Sequence, residues 1–296
     1  MPAALAEVRA ESYAEYAWPR SLASMFNRNG TVVSLIAALG LAVVLILSML
    51  LNSPGNFFGA HGAAASFYEV IPLWAMQAVG IATFGFSLVA LAAGARNFWR
   101  DAGPRGGIGP IAVAIALHDV LTLKNLGGGG NGCNDNSEAF SMRRRRLHHA
   151  MFYGFLLCFA ATTTGFVYHA YFGWPAPYPF ISAPVLLGTV GGGLMLVGTV
   201  GLLAMKFVDD PAPKVRRLLG GDVALLMLLA MIALTGLVVL AVRASGAMGL
   251  ALALHLGFVL AFFLVLPYSK MVHGVYRSAA LLRRAVERKM QPLGGE

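Results

Sequence analysis

Five histidines sit at positions where an ionisable side chain needs a chemical reason to be. His255 and His273 are 18 residues apart in and just beyond one apolar stretch. On one continuous helix they would share a face about 27 Å apart, at ~100° and ~1.5 Å per residue. His148, His149 and His169 bracket a second apolar stretch. From His148 to His169 the rise is about 32 Å and the rotation misses eclipse by ~60°, against ~160° for His149 to His169, so helical geometry favours His148. If the two stretches cross a membrane in opposite directions, His148 or His149 meets His273 near one side and His169 meets His255 toward the other. Two imidazoles from two helices at one depth are the axial donors of a six-coordinate haem b. Two such pairs at two depths make a transmembrane electron path. Quieter roles fit the same residues: solvation or headgroup contact for His148, His149 and His273, and a proton relay or an interhelical hydrogen bond for His255.

Other motifs carry less. His118 precedes Asp119, and a glycine run, Gly127 to Gly130, leads to Asn131-Gly132-Cys133. Such a run can offer backbone N–H groups to an anion, but no Lys-Ser/Thr pair follows, so it lacks the signature of a phosphate loop. His118, Gly128, Gly129 and Cys133 are therefore read as a partner or ligand loop. His61, in a polar hairpin, reads as an exposed histidine. Gly188-x-x-Gly191-x-Gly193 has dinucleotide-like spacing but falls inside an apolar span rather than a βαβ unit. The two cysteines, Cys133 and Cys158, cannot hold a four-thiolate iron–sulfur cluster. Trp174-Pro175-Ala176-Pro177-Tyr178-Pro179 reads as a rigid interfacial loop, since its prolines stop a helix and Trp and Tyr settle at membrane borders.

The elements that must position these residues are membrane helices. Hydrophobic residues make up 58% of the chain and charged ones only 12%, and the mean hydropathy is +0.70, which excludes an ordinary soluble domain. Apolar stretches long enough to cross a bilayer predict six spans, at about 31–51, 70–95, 149–170, 184–207, 222–242 and 248–268. Pro72 suits the first turn of the second, and the glycines of the fourth permit close helix contact. Of the 22 basic residues, Arg243 alone falls on the far side of this arrangement. The positive-inside rule then places both termini in the cytoplasm. The fold class is an all-α polytopic bundle: residues 1–30 a cytoplasmic connector, 31–275 the transmembrane bundle with a cytoplasmic loop at 96–147, and 276–296 a basic tail. Within that loop Ile111 to Leu117 predicts a short interfacial helix. The net charge of +9 is accounted for by topology, so it does not argue for nucleic acid, and it leaves a phospholipid surface and acidic partner proteins open as ligands. The first span reads as an uncleaved anchor, because no signal-peptide pattern precedes it.

Longer motifs add a resemblance. His118-Asp119-Val120-Leu121-Thr122-Leu123-Lys124-Asn125-Leu126 with the glycine run, Arg145-Arg146-Leu147-His148-His149, Phe152-Tyr153-Gly154-Phe155 and Phe172-Gly173-Trp174-Pro175 resemble the membrane portion of the tricarballylate and citrate utilisation protein B family (TcuB/CitB). The likeness covers nearly all 296 residues. It implies a membrane electron-transfer subunit that takes electrons from a cytoplasmic flavoprotein dehydrogenase of the tricarballylate type and passes them to the quinone pool in the bacterial inner membrane. This membrane part is itself similar to the haem b gamma subunit of respiratory nitrate reductases, where one helix offers two haem ligands five turns apart. That likeness implies two haems b, with iron ligands at His255 and His273 and, more loosely, at His148 or His149 and at His169. Members also carry a ferredoxin-like region before the first span; residues 1–25 resemble the connector that follows it, so iron–sulfur clusters are expected on a preceding segment or another polypeptide. Two rivals stay open at this point, a tricarboxylate transporter and a cofactor-free membrane anchor.

Overall fold

The structure, a computed structural model, describes residues 2–59, 66–103, 106–130, 140–209 and 215–290. Among them there are helices and turns but no strand. In chain order these are α1 (Pro2–Tyr16), a 3₁₀ segment Arg20–Arg28, α2 (Asn29–Leu51), α3 (Pro54–Phe58), α4 (Ser66–Val70), α5 (Leu73–Ala102), α6 (Pro110–Leu121), a 3₁₀ turn Lys124–Gly130, α7 (Arg143–Phe172), α8 (Ala183–Val208), α9 (Arg216–Val242), α10 (Met248–Val265), a 3₁₀ turn Leu266–Tyr268, and α11 (Val272–Met290). Six of these segments are long and apolar enough to cross a membrane: α2, α5, α7, α8, Leu218–Val242 of α9, and Met248–Tyr268. The chain is a multi-pass membrane protein. Each predicted span has its helix, with shifted ends: Pro72 caps α5 from outside, and α7 begins six residues early, on its arginines.

In lipid the hydrophobic effect does not drive helices together, so close packing must. Glycine provides it between α7 and α8. A Cβ on Gly154 would lie 2.7 Å from the Gly191 carbonyl oxygen, one on Gly191 2.8 Å from the Cys158 nitrogen, and one on Gly198 2.7 Å from the Leu147 oxygen. The same device joins α2 to α10 through Gly40 and Gly257, and α2 to α9 through Gly30 and Gly220. α10 is the most enclosed span and α7 the most open. Phe155 of α7 meets Phe262 of α10 edge-on at 5.7 Å, and further along α7 His148 meets His273 of α11.

One expectation is corrected. His255 and His273 do not share a helix, because α10 ends at Val265 and His273 opens α11. Pro267 cannot donate the next helical hydrogen bond and its ring crowds the preceding turn. Ser269 then adopts extended backbone, and its hydroxyl receives the Met271 N–H. The short helix predicted within that loop is present as α6, which buries Ala112, Ala116 and Asp119 and exposes Ile111, Ile115 and Leu117. Its small side chains pack on Ala285 and Val286 of α11.

Candidate functional site

At the end of the bundle where α7 begins, here termed the inner end, the His148 and His273 rings stand 6.2 Å apart, centroid to centroid, nearly perpendicular at 86°. Two metal–nitrogen bonds of about 2 Å each, with half a ring on either side, place imidazole centroids roughly 6 Å apart. The His273 Nδ1 faces the Lys270 carbonyl oxygen at 2.5 Å. A carbonyl only accepts, so Nδ1 carries the proton and Nε2 keeps its lone pair, the arrangement a ligating histidine uses. Burial pushes the His273 imidazole below its ordinary pKa, which favours the neutral, ligating form. His148 has a buried Nδ1 without a hydrogen-bond partner among the described residues.

His149 points elsewhere. Its Nε2 lies 3.1 Å from the Thr122 carbonyl oxygen, which also receives Arg145 Nη2 at 2.8 Å, while the Tyr153 hydroxyl donates to the Leu121 oxygen at 2.8 Å. Three side chains of α7 thus satisfy carbonyls at the end of α6, where helices leave acceptors unpaired. Leu123, in the left-handed region at φ 44°, turns the chain there. Of the two neighbouring histidines only His148 joins His273.

Toward the outer end, His255 lies against α9. Thr235 Oγ1 donates to the Met231 oxygen at 2.6 Å and stands 3.2 Å from His255 Nδ1, where the hydroxyl can accept from the ring; the Ile232 backbone also hydrogen-bonds the imidazole. Gly236 leaves room for the imidazole; a Cβ there would come within 3.0 Å of Cε1. His169 is not brought to His255. Its ring packs edge-on against Tyr68 at 5.2 Å, and no ring contact with His255 exists among the described residues. Counting outward from the Phe155–Phe262 contact, the residue level with His255 is Thr162, and His169 lies seven residues beyond, about 10 Å along the helix. Nearby, Tyr178 donates to the Gly165 oxygen, and Arg243 donates to the Tyr178 oxygen while covering the Phe180 ring at 3.6 Å.

The remaining candidates are peripheral. His118 is exposed and sits 3.5 Å from Asp119, which Lys124 approaches to 3.2 Å. Burial alone would raise the Asp119 pKa; hydrogen bonds and charge from Lys124 and His118 outweigh it and hold the carboxyl below its usual range. Gly128 and Gly129 lie in the 3₁₀ turn after α6, beside Gly127, where a Cβ would come within 3.2 Å of Arg145 Nη1. Cys133 and His61 lie outside the described residues.

Among the described residues no three His, Cys, Asp or Glu side chains gather as a metal site. The inner pair suits an iron whose equatorial positions a porphyrin fills, since only two protein donors are then needed. Residues that sequence reading passed over support both histidines: Thr235 and Gly236 at His255, and Lys206, Asp222 and Lys270 near His273. An acid in an apolar span was the available signal for Asp222; Thr235 had none, because a lone span hydroxyl usually bonds its own helix.

Residues 25–294 match the family model described as Citrate utilization protein B. The chain is 41% identical over 295 residues to the Citrate utilization protein B of Escherichia coli, covering 98% of this chain and 76% of that relative. No solved structure matches it.

Proposed function

Because the chain belongs to the citrate utilization protein B family, we propose that it is a haem b membrane subunit relaying electrons from a cytoplasmic flavoprotein dehydrogenase to quinone. The observation that carries this reading is the inner pair: His148 and His273 come from two helices with ring centroids 6.2 Å apart, about the separation that bis-imidazole ligation needs. His273 is already in the ligating tautomer, held by the Lys270 carbonyl. Haem b, when bound, supplies a one-electron carrier inside the low-dielectric bundle. His255, anchored on Thr235, is the ligand proposed for a second group further out. Its second ligand is left unassigned, because His169 stands too far along α7. The dehydrogenase, of the tricarballylate or citrate-utilising type, docks at the inner end, where the exposed arginines of α7 and α11 face the cytoplasm of a bacterial cell. Quinone takes the electrons within the inner membrane.

A reduced-minus-oxidised visible spectrum of the detergent-purified protein, with haem quantified per chain, tests this. The expectation is b-type bands that fall when His148, His255 or His273 is replaced by Ala. A preparation without b-type bands, even with haem supplied during expression, overturns the reading in favour of an anchor or a transporter.

A further inference from the structure

The break between α10 and α11 takes His273 off the axis of α10 and puts it in the first turn of α11, and the residues around the break show what fixes that turn. The Lys270 carbonyl oxygen takes both the backbone N–H of His273, at 3.1 Å, and its Nδ1–H, at 2.5 Å. The position of Lys270 therefore dictates the position and tautomer of the imidazole. Lys270 is in turn tethered by its side chain, with Nζ 2.7 Å from Asp222 Oδ2 on α9. The same oxygen accepts from Lys206 Nζ of α8. The Asp222 side chain is only 12% exposed and Lys206 25% exposed, so the carboxylate is a nearly enclosed junction of three elements.

Those links close a ring. α8 is locked to α7 through Gly154, Gly191 and Gly198, and α7 carries His148. From α8 the path returns through Lys206, Asp222 and Lys270 to His273. The separation between the two rings is thus fixed by backbone packing on one side and by a buried ionic junction on the other. Asn29 and Tyr268 brace the far flank of the turn: Asn29 Nδ2 donates to the Tyr268 oxygen at 2.7 Å, and the Tyr268 hydroxyl donates to the Trp18 oxygen at 2.9 Å.

We propose that Asp222, acting through Lys270, is the positioning residue for His273 and sets the geometry of the inner histidine pair. What the pair holds rests on the haem reading; that Asp222 positions it does not. Removing the carboxylate takes away the acceptor that Lys206 and Lys270 share and leaves their two ammonium groups close together near the site, so both geometry and local potential change.

The test uses the full-length protein purified in detergent, wild type and the variants Asp222→Asn, Lys270→Met and Lys270→Arg. Two readouts are taken: modification of His273 by diethylpyrocarbonate, mapped by mass spectrometry, and a redox titration of the b-type bands. Asp222→Asn and Lys270→Met should raise His273 modification several-fold and Lys270→Arg should restore it. The inner midpoint potential should rise in Asp222→Asn, as a negative charge is lost, while the His255-dependent component stays in place. Lys270→Met keeps the test decisive if Asp222→Asn does not fold, since Lys270 is half exposed. Unchanged His273 modification in Lys270→Met overturns the positioning role. Absence of b-type bands in the wild type overturns the haem reading alone, and the modification data then decide the positioning role by themselves.

Discussion

Replacing Gly198 by Ala perturbs the packing that carries His148. A Cβ at 198 would collide with the Met151 nitrogen and lie 2.7 Å from both the Leu147 oxygen and the Met151 Cα. All three are helical backbone atoms on either side of His148, and backbone cannot swing aside as a side chain can. Opening the 2.7 Å contacts to the 3.4 Å at which ordinary contact begins moves α7 by at least about 0.7 Å, and clearing the closer Met151 nitrogen takes more. Overpacking of this kind costs about 1–3 kcal/mol. Gly193, on the same helix, is the control: a Cβ there meets nothing within 4 Å, so Gly193→Ala should gain up to about 1 kcal/mol of helix propensity. Both variants share that gain, so the difference between them isolates the clash, at about 1–3 kcal/mol. At the site, a shift of this size exceeds the roughly 0.5 Å within which a ligand set must be held. Thermal unfolding in detergent, followed by tryptophan fluorescence, should show Gly198→Ala melting below Gly193→Ala. The inner b-type component should be depleted in the first and intact in the second. If the two variants unfold alike and retain the same bands, close backbone approach of α7 to α8 is not what places His148.

Further outcomes follow from the same contacts. His148→Ala should remove the inner b-type component, whereas His149→Ala should retain it and instead speed hydrogen exchange at the end of α6, where His149 holds the Thr122 carbonyl. Thr235→Val keeps the shape of the side chain but removes the acceptor of His255 Nδ1; retention of the outer group should fall about 10–100-fold, with recovery in Thr235→Ser, as read by haem content after dilution. Burial, with the nearby Tyr13 and Tyr16, pushes the Tyr276 phenol up to about 12. Its folded-state pKa then lies above the unfolded value of about 10, so this group's contribution to stability is complete below pH 10 and is lost as pH rises toward 12. Tyr276→Phe should flatten that alkaline loss in unfolding experiments run from pH 9 to 12.

Much of the architecture is written in the chain. Bilayer thickness and the cost of an unpaired backbone in hydrocarbon force long uncharged stretches into helices, so the six spans and α6 could be read from composition and length alone. Glycines in the fourth span announced a tight interface because only a missing side chain lets two helix backbones meet. The histidines could be named for the same kind of reason, since imidazole at membrane depth is costly without a partner. Their pairing was another matter. Residue spacing describes an unbroken helix, and neither the turn at Pro267 nor the path of α11 follows from spacing. Helical spacing already favoured His148 over His149, but through a face shared with His169; only the tertiary structure shows that one residue of helical rotation sends one ring to His273 and the other to the end of α6. Only it shows His169 packed on Tyr68 instead of level with His255, and only it joins Lys206, Asp222 and Lys270. Those three lie on separate elements, and contacts between residues distant in sequence are decided by how whole helices pack.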